Sequence, residues 1–209
     1  MDFSKNSEFK YILLIVILLI AIFGVSALKE GGPQILEIKN FTKNNQSNIE
    51  AITPLSVLFV GDIMLDRKVE AQMEKNGFDY PFEKIKEFLN KNDFVFANLE
   101  GPISKNPTKF SLSAMTFAFS DKIIAPLLSA NFGIFSLANN HTLNMYQQGL
   151  DETKKLLAES EIGWVGDPLS CSESYVINND LVFLAFNKTF SECKDEKIIE
   201  IVEKTRKEN

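Results

Sequence analysis

The stretch that decides the fold is Gly133-Ile134-Phe135-Ser136-Leu137-Ala138-Asn139-Asn140-His141-Thr142. A short apolar run follows the glycine and ends abruptly in two amides and the only histidine of the chain. Such a run, bounded by a glycine and a polar cluster, is typical of a buried β-strand. The polar side chains at its carboxyl end therefore indicate a purpose other than packing.

Two earlier stretches have the same form. The run Val57–Val60 leads into Gly61-Asp62, and the run Phe94–Ala97 leads into Asn98-Leu99-Glu100. Three apolar strands, each followed by a polar cluster and then a helical stretch, are typical of a parallel α/β sheet. The working site of an open parallel sheet lies at the carboxyl ends of its strands. We therefore expect four side chains to converge there: Asp62, Glu100, Asn140 and His141.

The chemistry of these side chains indicates a metal site. Asp62, Glu100 and Asn140 offer two carboxylates and an amide, which are hard oxygen donors. Such a set suits Mg²⁺ or Mn²⁺ better than Zn²⁺, because only one imidazole is present. His141 is placed beside the amide, where it could protonate a leaving oxygen.

Each residue taken alone also has a purely structural interpretation. Asp62 could be a helix cap or turn residue, and Glu100 precedes an ordinary Gly-Pro pair. The run Asn139-Asn140-His141 could form a left-handed turn with a satisfied histidine. The functional interpretation is favoured because the clusters occupy the same topological position.

Composition excludes one class of partner. The chain has 209 residues, 45% of them hydrophobic, which predicts one globular domain with a core. Its formal charge is -6, and no predicted helix carries a basic stripe. A nucleic-acid partner would need a basic face, so we set that class aside.

The N-terminal region predicts a membrane anchor. Residues 1–10 are polar, and residues 11–28 form an uncharged apolar run that spans roughly 27 Å as a helix. Residues 29–53 have the composition of a linker, and the domain occupies 54–209. The distribution of lysines around the run predicts a cytoplasmic N-terminus and a single-pass protein of the cell membrane, with the domain on the extracytoplasmic side. Small residues at Val25-Ser26-Ala27 leave open a cleaved signal peptide, although the length of the run favours an uncleaved anchor.

Hydrophobic periodicity predicts the remaining elements. They are helices at 66–76, from Pro81, at 148–160 and from about Asp195, a short helix capped by Ser120, a hairpin of Tyr175–Ile177 and Leu181–Phe186, and an irregular loop over the site at 103–119.

Cys171 and Cys193 flank the hairpin. A disulfide between them is open if the domain lies outside the cytoplasm, but two free buried thiols are favoured.

Three motifs together carry a family resemblance. Gly61-Asp62-Ile63-Met64-Leu65, Asn98-Leu99-Glu100-Gly101-Pro102-Ile103 and Leu137-Ala138-Asn139-Asn140-His141 resemble, in order and spacing, the N-terminal motifs of the CapA family. These bacterial proteins are linked to capsule and poly-γ-glutamate synthesis and resemble calcineurin-like metallophosphatases. The resemblance covers about Leu55 to Gly166 and implies the N-terminal half of a metallophosphatase-like α/β sandwich, preceded by a single transmembrane helix.

The resemblance also implies roles for individual residues. Asp62 and Asn140 would be metal ligands, Glu100 would take the metal-bridging position and His141 would be the general acid. Where the family commonly has an aspartate three residues after the motif histidine, this chain has Asn144. The family continues with a strand-rich half that bears further histidines, whereas this chain has none after His141. We therefore expect a C-terminally truncated domain with an incomplete metal site.

Two functions from different classes follow. The first is a capsule-synthesis protein that would act as a metal-dependent, phosphoesterase-like hydrolase once a C-terminal half completes it, with other capsule-synthesis subunits or a polyanionic polymer as partners. The second is a non-catalytic extracytoplasmic binding or scaffold protein that retains only the first half of the fold. A third outcome, in which no stable domain forms, follows from the apolar surface that an open sheet exposes.

Overall fold

The computed structural model describes residues 55–111, 114–171, 174–177, 181–189 and 193–208. The polar N-terminus, the apolar run of 11–28 and the linker of 29–53 lie outside these residues, so the predictions made for them stay predictions. Over the described ranges, no helix is both long and apolar enough to cross a membrane.

Strands and helices alternate along the described chain. In order they are β1 (Val57–Ile63), α1 (Arg67–Asn76), α2 (Lys86–Leu89), β2 (Phe94–Leu99), β3 (Ile103–Ser104), β4 (Phe119–Ser120), a 3-10 turn (Asp121–Ile123), α3 (Ile124–Ser129), β5 (Phe132–Ser136), α4 (Tyr146–Glu159), β6 (Gly163–Val165), β7 (Ser174–Ile177), β8 (Leu181–Leu184) and α5 (Asp195–Glu208). Strands β1, β2, β5 and β6 form a parallel sheet in that spatial order. The predicted α/β class with a parallel sheet is therefore confirmed.

The two faces of the main sheet bury different clusters. Side chains alternate between faces along a strand, so Val95 and Ala97 of β2 face one side and Phe94 and Phe96 the other. The first pair belongs to a large core that also contains residues of the helices. The second pair packs with Phe183 of the hairpin, whose ring stacks on Phe96 with centroids 5.3 Å apart. The hairpin predicted from the sequence thus covers the second face, while residues 178–180 between its two strands lie outside the described residues.

Local sequence signals account for the long helices. Asp66 caps α1 by accepting a hydrogen bond from the Arg67 backbone N–H, and Gly77, with φ of 104°, ends it. In α4 the predicted 3.6-residue periodicity corresponds to one buried face: Leu150, Thr153, Leu156 and Leu157. The helix predicted from Pro81 begins instead at Lys86, because consecutive tight turns fill the preceding residues.

Two polar contacts fix where strands begin and loops attach. Asp93, just before β2, accepts hydrogen bonds from the backbone N–H and hydroxyl of Ser56, just before β1, and these bonds lower the pKa of Asp93. On α4, the hydroxyl of Ser104 and the backbone N–H of Lys105 hydrogen-bond to Glu152 and hold its pKa below the ordinary value. The second contact fixes the start of the 103–119 segment on α4.

The favoured prediction for the cysteines is wrong. Cys171 and Cys193 form a disulfide, with their Cα atoms 5.4 Å apart. The bond joins the connection before β7 to the residues that precede α5, on either side of the hairpin. The 22 positions that separate the two cysteines in sequence do not show that the hairpin between them brings their Cα atoms close together.

Candidate functional site

The three polar clusters meet at one end of the main sheet. Asp62 of β1 lies in register with Asn98 of β2, and Asn98 lies in register with Ser136 of β5. Because the strands are parallel, the residues that follow each register position emerge at the same edge. Glu100 and the Asn139–Thr142 turn are therefore neighbours, as the sequence predicts.

A relay of amide hydrogen bonds joins the turn to the carboxylates. The Oδ1 atom of Asn139 accepts from the backbone N–H groups of His141 and Thr142, both at 2.9 Å. Its Nδ2 atom donates to the Leu99 carbonyl at 2.8 Å and to Asn98 Oδ1 at 3.0 Å. The buried amide thereby links the strand β2 to the turn after β5.

The relay ends on both acidic side chains. Asn98 Nδ2 donates to Asp62 Oδ1 at 2.9 Å and to Glu100 Oε2 at 2.6 Å. The orientation of each amide follows from the network, because backbone N–H groups can only donate and so fix Asn139 Oδ1 as the acceptor. Every later bond in the relay then points the same way, and the two carboxylates converge on one amide nitrogen.

His141 lies beside the Glu100 carboxylate with its ring mostly enclosed. Its Nε2 atom is 3.5 Å from Glu100 Oε1, and its side chain is 12% exposed. Its Nδ1 atom is 3.2 Å from Asn144 Oδ1. That oxygen also accepts from the Phe117 backbone N–H at 2.7 Å, so it is an acceptor and the imidazole presents Nδ1–H to it.

Asn140 is placed differently from its three predicted companions. Asn140 and Asp62 are both exposed, but Asp62 is bonded to the relay through Asn98, whereas in the turn the amide that reaches the relay is that of Asn139, which is 8% exposed. Asn98 and Asn139 were not among the predicted site residues. The signal for Asn139 was present, since an asparagine at the end of a strand readily accepts N–H groups two and three residues later.

The segment predicted to form a loop over the site does reach it. Phe117 packs against the His141 ring with centroids 4.5 Å apart. The segment is less irregular than predicted, because its ends pair as the short parallel strands β3 and β4. This pairing brings Phe117 to the site, although Phe117 is 24 positions from His141 in sequence.

The described residues supply few of the charged donors that a metal ion needs. Within the described part of the chain, no group of three or more His, Cys, Asp or Glu residues is arranged to hold a metal ion. The carboxylate oxygens Asp62 Oδ1 and Glu100 Oε2 instead receive hydrogen bonds from Asn98. The two carboxylates therefore form a partial donor set that is hydrogen-bonded to a neutral amide.

The fold and the site together define a class: an open parallel α/β domain with carboxylates, amides and one imidazole at the carboxyl ends of its strands. Residues 56–205 match the bacterial capsule synthesis protein family PGA_cap, and the chain belongs to that family. The resemblance carried by the three motifs is therefore confirmed.

Two curated relatives are similar to this chain. One is the capsule biosynthesis protein CapA of Bacillus anthracis, 30% identical over 116 residues, which are 54% of this chain and 28% of the relative. The other is the PGA biosynthesis protein CapA of Bacillus subtilis strain 168, 30% identical over 121 residues, which are 57% of this chain and 32% of the relative. The chain thus matches about a third or less of the length of these relatives.

Proposed function

We propose that this protein acts in capsule or poly-γ-glutamate synthesis, as a membrane-anchored CapA-like protein with a metallophosphatase-like fold. The observation that carries the proposal is the family match over residues 56–205, which includes all three motifs of the site. The names of the two Bacillus relatives, both biosynthesis proteins, support the same process. Partners would be other capsule-synthesis subunits or the polyanionic polymer itself.

Two features support an extracytoplasmic domain. The uncharged run of residues 11–28 has the length of a membrane span. The Cys171–Cys193 disulfide is of a kind that persists in oxidising compartments and is rare in the cytosol. Both fit a single-pass anchor with residues 54–209 outside the cytoplasm.

The proximity of Asp62, Glu100 and His141 supports a proposal of metal-dependent chemistry at this site. The two carboxylates would contribute to a divalent cation site for Mn²⁺ or Mg²⁺ rather than Zn²⁺, with Asn140 as a further ligand from the exposed side of the turn. The missing donors would come from outside the described residues. His141, fixed by Asn144 and Glu100, would donate a proton to a leaving oxygen.

We predict weak binding of Mn²⁺ by the full chain, with a dissociation constant on the order of millimolar, because few charged ligands are present. Asp62→Asn and Glu100→Gln should each weaken binding about tenfold or more, measured by Mn²⁺ electron paramagnetic resonance. Asp79→Asn is the matched control, since Asp79 is exposed and lies on the turns before α2. Binding that persists unchanged in both site variants would contradict a role for these carboxylates.

A genetic test addresses the process itself. Deleting the gene in its host should reduce cell-surface polymer, measured as glutamate released by acid hydrolysis of washed cells. The wild-type gene should restore it, while Asp62→Ala and His141→Ala should not. Asp79→Ala should restore it fully. If deletion leaves the surface polymer unchanged, the proposal of capsule synthesis is wrong.

One observation favours the second candidate, a non-catalytic binding or scaffold protein. Asn98 Nδ2 donates to one oxygen of Asp62 and one oxygen of Glu100, so the two carboxylates also take part in the hydrogen bonds that join β1 to β2. This candidate predicts that deletion reduces surface polymer but that Asp62→Ala and His141→Ala restore it as well as the wild type. The same experiment therefore separates the two functions.

A further inference from the structure

Arg67 begins α1 in a backbone conformation that few side chains adopt. Its φ is 59°, in the left-handed region that favours glycine. A non-glycine residue remains there only when its surroundings hold it. The surroundings include Asp66, whose carboxylate accepts from the Arg67 backbone N–H at 2.5 Å and from the Ala118 backbone N–H at 3.0 Å. The start of α1 is thereby attached to the segment that covers the site.

The Arg67 side chain also attaches the start of α1 to the segment that covers the site. Its guanidinium carbon lies 4.7 Å from the centre of the Phe117 ring, and a terminal nitrogen donates to the Ala114 carbonyl. Its Nε atom is buried without a hydrogen-bond partner among the described residues. Among the described residues, the ring and the carbonyl therefore set the position of the guanidinium.

Phe117 is the residue that contacts His141 from this side. Its ring centroid is 4.5 Å from that of the imidazole, and its backbone N–H donates to Asn144 Oδ1, the oxygen that faces His141 Nδ1. Two contacts of the imidazole, the ring of Phe117 and the amide of Asn144, thus depend on where Phe117 lies. Arg67 contacts this same Phe117 ring.

We infer that Arg67 is a positioning residue for His141. The planar guanidinium of Arg67 packs on the Phe117 ring and donates a hydrogen bond to the Ala114 carbonyl. Segment 114–118, held in this way, then limits the position of the imidazole through Phe117. Lysine would serve less well because its point charge cannot stack on the ring while reaching the carbonyl. The inference that this affects proton donation rests on the proposed function, but the positioning itself does not.

The chain offers a clean spectroscopic test because His141 is its only histidine. In the full chain, kept in detergent, the ring ¹H–¹³C signals of a histidine-labelled sample report this imidazole alone. Phe117→Leu gives the signal without the aromatic neighbour. Arg206→Gln is the matched control, since Arg206 is the other arginine and lies exposed on α5.

At one fixed alkaline pH, Arg67→Gln should move the His141 ring signals from the wild-type position toward that of Phe117→Leu, by more than their linewidth. Arg206→Gln should leave them in place. A cooperatively unfolding Arg67→Gln variant with wild-type signals would overturn the inference. If that variant does not fold, nuclear Overhauser contacts in the wild-type chain decide instead. Contacts from Arg67 Hε to the Phe117 ring and from that ring to His141 support the inference, and the absence of either overturns it.

These readouts need no enzymatic activity. If the capsule experiments fail, the proposed function fails while the spectra still report the positioning. If the spectra fail while Asp62→Ala abolishes polymer, the function stands and only the role of Arg67 is wrong.

Discussion

Replacing Asn139 by alanine should destabilise the folded domain by about 3 kcal/mol. The substitution removes the acceptor of two backbone N–H groups, those of His141 and Thr142, and the donor to the Leu99 carbonyl. Thr142 is fully buried, so its N–H has no access to replacement water. Urea unfolding of the full chain, followed by the fluorescence of its only tryptophan, Trp164, measures the loss.

The adjacent amide supplies the control. Asn140 is exposed, so Asn140→Ala should change the free energy of unfolding by no more than about 0.5 kcal/mol. Alanine substitutions of these two neighbouring asparagines should therefore differ by about 2.5 kcal/mol in their effect on the free energy of unfolding. Equal effects would mean that the relay from Asn139 to the carboxylates does not support the fold. The proposed ligand role of Asn140 would then be tested separately, by Mn²⁺ binding.

This pair of asparagines also shows what the sequence could and could not predict. The apolar run before them identified a buried strand, and the parallel order placed its end beside Asp62 and Glu100. Which of two identical side chains turns inward depends on the backbone of the turn, where the hydroxyl of Thr142 donates to the Leu137 carbonyl. The order of residue types along the chain does not show which of the two asparagine side chains points into the protein.

Contacts between distant segments were predicted least well. Helices α1 and α4 followed from caps and 3.6-residue periodicity, which are local properties. The approach of Phe117 to His141 depends on the parallel pairing of β3 and β4, two strands of two residues each. Strands this short leave no alternation to detect. The Cys171–Cys193 bond was missed for a related reason, since it depends on the geometry of the intervening hairpin.

The contacts among Asp62, Glu100 and His141 depend partly on a residue that was not predicted to belong to the site. All three were predicted at one sheet edge, and in the structure Asn98 joins Asp62 to Glu100, which in turn lies 3.5 Å from His141 Nε2. Asn98 was not predicted as a site residue because the apolar residues of its strand indicate only a buried β-strand. A polar residue within an apolar strand is nevertheless costly unless it is hydrogen-bonded, and this signal could have identified it.

Gly166→Ala should also destabilise the domain strongly, by about 2–4 kcal/mol. Gly166 follows β6 with φ of 78°, a conformation that costs an alanine about 1–2 kcal/mol. An added Cβ would lie 2.7 Å from the Ala138 Cβ and 2.8 Å from the Ala185 carbonyl oxygen. Neither neighbour is a flexible side-chain end, so backbone must move. Urea unfolding with Trp164 fluorescence again measures the effect.

Gly61→Ala is the matched control, because an added Cβ at Gly61 meets no atom within 4 Å. Gly61→Ala should leave the free energy of unfolding unchanged or raise it by up to about 1 kcal/mol. The effect of Gly166→Ala should also reach the site, since Ala138 directly precedes Asn139 and its displacement moves the start of the relay. The ring signals of His141 should therefore shift in Gly166→Ala and stay unchanged in Gly61→Ala. A destabilised Gly166→Ala protein with wild-type His141 signals would show that the turn after β5 is held by the relay alone, and not by its packing against β6.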